Sequence, residues 1–104
     1  MLSDVYAMGV TKIDNILMIL GVSFDMKDEE QEAVTKEMTR GFNDKANEAK
    51  TVVTGGQSVM NPAPMIGGTA ISVCLKENVI FPNNAKPGDV IILTKPLGTQ
   101  VFTT

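Results

Sequence analysis

Histidine is absent from these 104 residues, and cysteine occurs once, at Cys74. Without histidine the chain cannot by itself host a Ser-His-Asp triad or a histidine general base. A single cysteine leaves no intrachain disulfide and no Cys/His spacing of a zinc site. That usage fits a reducing, cytoplasmic setting. Basic charge is also short: 9 Lys and Arg stand against 12 Asp and Glu, a net charge of −3. A general nucleic-acid binder usually shows a basic face, so no nucleic-acid partner is expected. A phosphate ligand stays compatible, because metal ions and backbone N–H groups hold phosphates without net positive charge. The longest apolar run, residues 16–22, is too short to span a bilayer. The N-terminus lacks the basic region and long apolar core of a signal peptide, so no membrane partner is expected. No internal repeat or low-complexity segment is visible.

What is present has the composition of one globular domain with a modest core, 43% hydrophobic and 20% charged. Ser3 or Asp4 can cap a short first helix that Gly9 stops, with Leu2, Val5, Tyr6 and Met8 on its packed side. An Asp at a helix start is either such a cap or a carboxylate for Mg²⁺ on a nucleotide, a role that hard oxygen ligands suit. Residues 13–23 are predicted to form a strand, whose continuous apolar run fits burial on both faces. Residues 25–50 are predicted to form the long helix. Acidic side chains crowd its start, Lys45 and Lys50 sit at its end, and Val34, Met38, Phe42, Ala46 and Ala49 make one apolar stripe. Gly41 costs that helix about 1 kcal/mol relative to Ala, and is expected to mark close packing on a sheet.

Residues 51–59 are the predicted second strand, carrying Gly55, Gly56, Gln57 and Ser58. Two readings stand side by side. The double glycine ends a strand in a tight turn, or it forms a loop that contacts a phosphate or nucleotide. Glycine allows the close approach, and Gln57 and Ser58 offer donors and acceptors beside it. Residues 65–75 make a third strand, where Gly67-Gly68 suggests a bulge or a close backbone contact. Cys74 lies there in an apolar context, with no neighbour in sequence to lower its pKa, and is expected to be a buried structural thiol. Residues 89–94 are the predicted fourth strand, and residues 99–104 read as the start of another helix. The class is therefore α+β, about four strands packed on one long helix. One helix cannot cover both faces of so apolar a sheet, so a second layer from further chain or another subunit is expected.

Three segments, in this order and spacing, resemble the selenophosphate synthetase (selenide, water dikinase) family. They are Leu2-Ser-Asp-Val-Tyr-Ala-Met-Gly9, then Val53-Thr-Gly-Gly-Gln-Ser58 with Asn61-Pro62, then Pro87-Gly-Asp-Val-Ile-Ile-Leu-Thr-Lys-Pro-Leu-Gly-Thr-Gln100. Residues 14–23 are similar to its eukaryotic branch. That family belongs to the ATP-binding group of aminoimidazole ribonucleotide synthetase, so the resemblance implies the fold of that synthetase's N-terminal domain. It also implies a homodimer whose sheets pair. The implied reaction makes selenophosphate, AMP and phosphate from ATP, selenide and water, with Mg²⁺. By position Asp4 resembles a carboxylate that binds Mg²⁺ and the ATP phosphates. Gly55, Gly56, Gln57 and Ser58 resemble the segment that contacts ATP across the dimer interface. Ser58 departs from the usual Thr but keeps the hydroxyl.

The family's glycine-rich segment, with its Cys or selenocysteine and its Lys, has no counterpart in residues 1–104. Neither do its other metal carboxylates or its C-terminal domain. The chain is thus expected to be a partial N-terminal ATP-binding and dimerisation domain. It would carry no catalytic residue, give Lys95 no catalytic role, leave selenide to a segment outside it, and be inactive alone. Two alternatives stay open: a related ATP-dependent enzyme with another substrate, or a dimerisation module without activity.

Overall fold

The apolar run at Ile16 becomes the central strand of a sheet. A computed structural model describes residues 1–98 of the chain. Its elements run α1 (Leu2–Ala7), β1 (Asn15–Ser23), α2 (Asp28–Glu48), β2 (Val53–Asn61) and β3 (Met65–Ile71), followed by a 3-10 turn at Lys76–Asn78. The strand order is β2-β1-β3, with β2 parallel and β3 antiparallel to β1. A parallel neighbour requires a crossover, and α2 supplies it. The α+β class holds.

Side chains alternate across β1. Ile16 and Leu20 are buried and Met18 and Val22 half-buried on the side that α2 covers, whereas Leu17 and Ile19 stay exposed. The core is Ile13, Ile16 and Ala46, with Leu2 and Val5 of α1, Phe42 of α2, Val53 and Ala70 packed around it. Phe42 and Ala46 belong to the stripe read from the sequence. The helix start falls at Asp28, not residue 25. Ser23 holds the preceding turn: its hydroxyl accepts from Asp25 N–H at 3.3 Å, and its carbonyl accepts from Gln31 Nε2 at 2.6 Å. The Glu30 carboxylate accepts from Lys27 N–H at 3.3 Å at the N-cap. At the other end Lys50 N–H reaches Asn47 O and Thr51 N–H reaches Ala46 O, the paired bonds of a Schellman closure, with Lys50 at φ +56°. Lys45 donates to Glu48, and this bond raises the Lys45 pKa above its ordinary value.

Several expectations are corrected. Met1, not Ser3 or Asp4, is the N-cap of α1, so both lie inside the first turn. Gly9 does stop the helix, at φ +74°. Gly41 faces open space, since a Cβ built there meets no atom within 4 Å. The close approach occurs instead at Gly68, where a Cβ would come within 2.6 Å of Leu17 O and 2.9 Å of Phe42 Cζ. Cys74 is exposed, because β3 ends at Ile71 and no described element covers the chain beyond it. Residues 89–94 pair with no strand among the described residues, so the sheet there has three strands; Val90, Ile91, Ile92 and Leu93 are 66–91% exposed. Extended backbone becomes a strand only when a ladder takes up its N–H and C=O groups. The helix expected at residues 99–104 lies outside the described residues.

Candidate functional site

Gly55, Gly56, Gln57 and Ser58 lie in the interior of β2, not at its end. The chain turns four residues after Ser58, at Pro62 and Ala63, where Asn61 Nδ2 donates to Ala63 O at 2.7 Å. The tight-turn and loop readings both give way to a strand site. Its backbone is irregular. Ile16 pairs with Val53 but Leu17 pairs with Gly55, so Thr54 is the extra residue of a bulge. Its hydroxyl accepts from Asn15 Nδ2 at 2.8 Å, which pins the bulge to β1.

A one-residue bulge reverses which side chains face which side. Past it, Gly55, Gln57 and Val59 share the open face with Leu17 and Ile19, while Gly56 and Ser58 face the α2 side with Met18 and Leu20. Gly56 sits at φ +153°, and a Cβ there would overlap the Met18 carbonyl oxygen. Only glycine fits this position. By contrast a Cβ at Gly55 would meet Leu17 Cδ2 at 3.7 Å, an ordinary contact.

A groove beside this stretch is lined by Met18, Asn43 of α2, Val53, Thr54 and residues 55–58. Gln57 is loosely held, its Nε2 donating to Ser58 O at 3.4 Å. No lining residue carries a charge. Sequence reasoning missed Asn43 and Thr54. Asn43 follows Phe42 in the helix, so the stripe could have placed it beside the sheet, but not at which edge. The Asn15–Thr54 bond spans 39 residues and had no local signal.

Asp4 is placed elsewhere. It sits in the first turn of α1, 83% exposed, and its Oδ2 pairs with the Met1 amino group at 3.0 Å. Among the described residues no hydrogen bond or ion pair joins it to residues 55–58. Of the residues named from sequence, Gly55, Gly56, Gln57 and Ser58 share β2, and Asp4 lies on α1. Asp14, just before β1, holds the chain that follows β3, accepting Val73 N–H at 2.7 Å. Among the described residues no group of three or more His, Cys, Asp or Glu is placed to hold a metal ion. No helix among them is long and apolar enough to cross a membrane.

Comparison with known proteins places this geometry. The family model of the AIR synthase related protein, N-terminal domain, matches residues 1–74. The chain is 57% identical over 100 residues to selenide, water dikinase 2 of Homo sapiens, covering 96% of this chain and 22% of that protein. It is 56% identical over 100 residues to selenide, water dikinase 2 of Mus musculus, with the same coverage of 96% and 22%. To the selenide, water dikinase of Trypanosoma brucei brucei it is 49% identical over 100 residues, covering 96% of this chain and 25% of that protein. The chain thus spans about a quarter or less of the length of these curated relatives. The likeness to selenide, water dikinases expected from the three motifs is borne out. The strands, the crossover helix and the matched residues agree: this chain belongs to the family of AIR synthase related proteins, through their N-terminal domain.

Proposed function

We propose that the chain is part of a selenide, water dikinase, an enzyme making selenophosphate, AMP and phosphate from ATP, selenide and water. The observation that carries this reading is identity of 47–57% to proteins of that name, over 96% of the chain. Residues 1–104 then form part of the N-terminal ATP-binding and dimerisation domain. Gly55, Gly56, Gln57 and Ser58 contact the nucleotide, a role supported by the groove that these four residues line. Asp4 is the proposed Mg²⁺ and phosphate ligand. The fit of Mg²⁺ is that of a partial shell: the ion prefers oxygen donors, keeps several waters and is often held by one or two carboxylates plus substrate phosphates. One exposed Asp4 carboxylate suits one such position. When bound, the ion would neutralise phosphate charge. A homodimer is the proposed partner arrangement, supported by the open sheet face, and the lone thiol supports a cytoplasmic setting. Selenide is left to parts of the enzyme outside this chain.

A chimera tests the reading. The matching 100 residues of the human relative are replaced by residues from this chain. The chimera should release AMP from ATP in the presence of selenide, whereas Asp4→Ala in the chimera should lower that rate at least tenfold. The 104-residue chain alone should release none. A folded, ATP-binding chimera without selenide-dependent AMP release would overturn the assignment.

A further inference from the structure

The groove between α2 and β2 has an uncharged lining. The lining of Met18, Asn43, Val53, Thr54 and residues 55–58 supplies no charge, so only backbone N–H groups could meet a phosphate there. Its chemistry is instead an apolar floor, Met18 and Val53, beside amide and hydroxyl groups. Such a mix suits a flat, uncharged heterocycle whose edge carries donors and acceptors. Asn43 is half-buried, and its side-chain amide has no hydrogen-bond partner among the described residues. A carboxamide offers an acceptor oxygen and a donor NH₂ side by side. Ser58, on the same side of β2, adds a hydroxyl.

We propose that this groove receives the nucleoside part of the nucleotide, and that Asn43 is a specificity-determining residue reading an adenine edge. The proposal rests on the nucleotide reading of residues 55–58 and deepens it. Adenine presents the N6 donor next to the N7 acceptor, which complements the carboxamide in both bonds. Guanine presents two acceptors there, O6 and N7, and leaves the Asn43 oxygen facing another oxygen. The phosphates lie outside the groove, where a charged group can meet them.

The test is a set of titrations of the ¹⁵N-labelled 104-residue chain, followed residue by residue. Adenosine alone should shift the Asn43 side-chain NH₂ and the backbone amides of residues 55–58. Mg²⁺-tripolyphosphate should leave both unmoved. Asn43→Ala should weaken adenosine binding about tenfold, the size of one lost bidentate base contact, and leave guanosine binding unchanged. Alanine favours a helix, so this variant keeps α2. If ATP and tripolyphosphate move residues 55–58 while adenosine does not, the nucleoside assignment is overturned and the nucleotide reading survives. The nucleoside assignment is likewise overturned if Asn43→Ala leaves the preference for adenosine over guanosine intact. If ATP moves none of these signals, both readings fall.

Discussion

Adjacent glycines in β2 have opposite tolerances. Gly55 has room for a methyl group beside Leu17, whereas Gly56 is held at φ +153° with its missing side chain aimed at Met18 O. Gly55→Ala should therefore change stability by less than about 1 kcal/mol. Gly56→Ala should cost at least about 2 kcal/mol through backbone strain and the clash. Urea unfolding of both variants checks this, and equal midpoints would show that β2 does not hold Gly56 as described. The double glycine was legible in sequence as a place of close approach. Which glycine, and that the approaching partner is β1 itself, was not, because both depend on the register set by the Thr54 bulge. Thr51 gives the opposite kind of case. Its hydroxyl is buried and has no hydrogen-bond partner among the described residues. An unmet buried hydroxyl destabilises by roughly 1–3 kcal/mol, and valine keeps the branched shape without it. Thr51→Val should raise the urea midpoint with an unchanged slope.

At the scale of elements, α2 was the most legible part of the chain. Its stripe at Phe42 and Ala46 does reach the core, because a period of 3.6 residues is a local property of the sequence. Two positions nevertheless oppose the helix. Gly41 is exposed with open space around it, so its backbone freedom serves no packing. Gly41→Ala should stabilise by about 0.5–1 kcal/mol. Lys50 adopts φ +56° in the closing turn, where a Cβ is unfavourable. Lys50→Gly should stabilise by about 0.5–1 kcal/mol, the left-handed strain relieved less the extra freedom of the unfolded chain. The two sites lie more than two helical turns apart and share no hydrogen bond, so urea unfolding of the double variant should show the sum of the two gains. The strand at residues 89–94 and the buried Cys74 were misread for the converse reason. An apolar run announces that burial is wanted, but only tertiary partners decide whether it occurs, and none among the described residues covers these.

The whole molecule has one covered sheet face and one bare one. Leu17, Ile19, Val59, Met65 and Ile71 share the bare face at 37–46% exposure each, and α2 lies on the other. The sequence foretold this imbalance, since one helix was too little for strands apolar on both sides. Neither β2 nor β3 contains a charged residue, so the sheet edges also lack the Lys or Glu that usually keeps strands from pairing with other chains. A stable interface needs about 800 Å² from each partner, and apolar area contributes about 25 cal/mol per Å². The proposed homodimer is therefore best tested at the centre of the face. Ile19→Lys points a charge away from the core, so the circular dichroism spectrum and the unfolding slope should persist. Sedimentation velocity at low micromolar concentration should then shift from dimer to monomer. A charged residue on the α2 side, such as Lys36→Glu, should leave the dimer intact and serves as the control. If the unmodified chain sediments as a clean monomer across that range, the bare face does not pair with its own copy, and the homodimer is removed from the proposal.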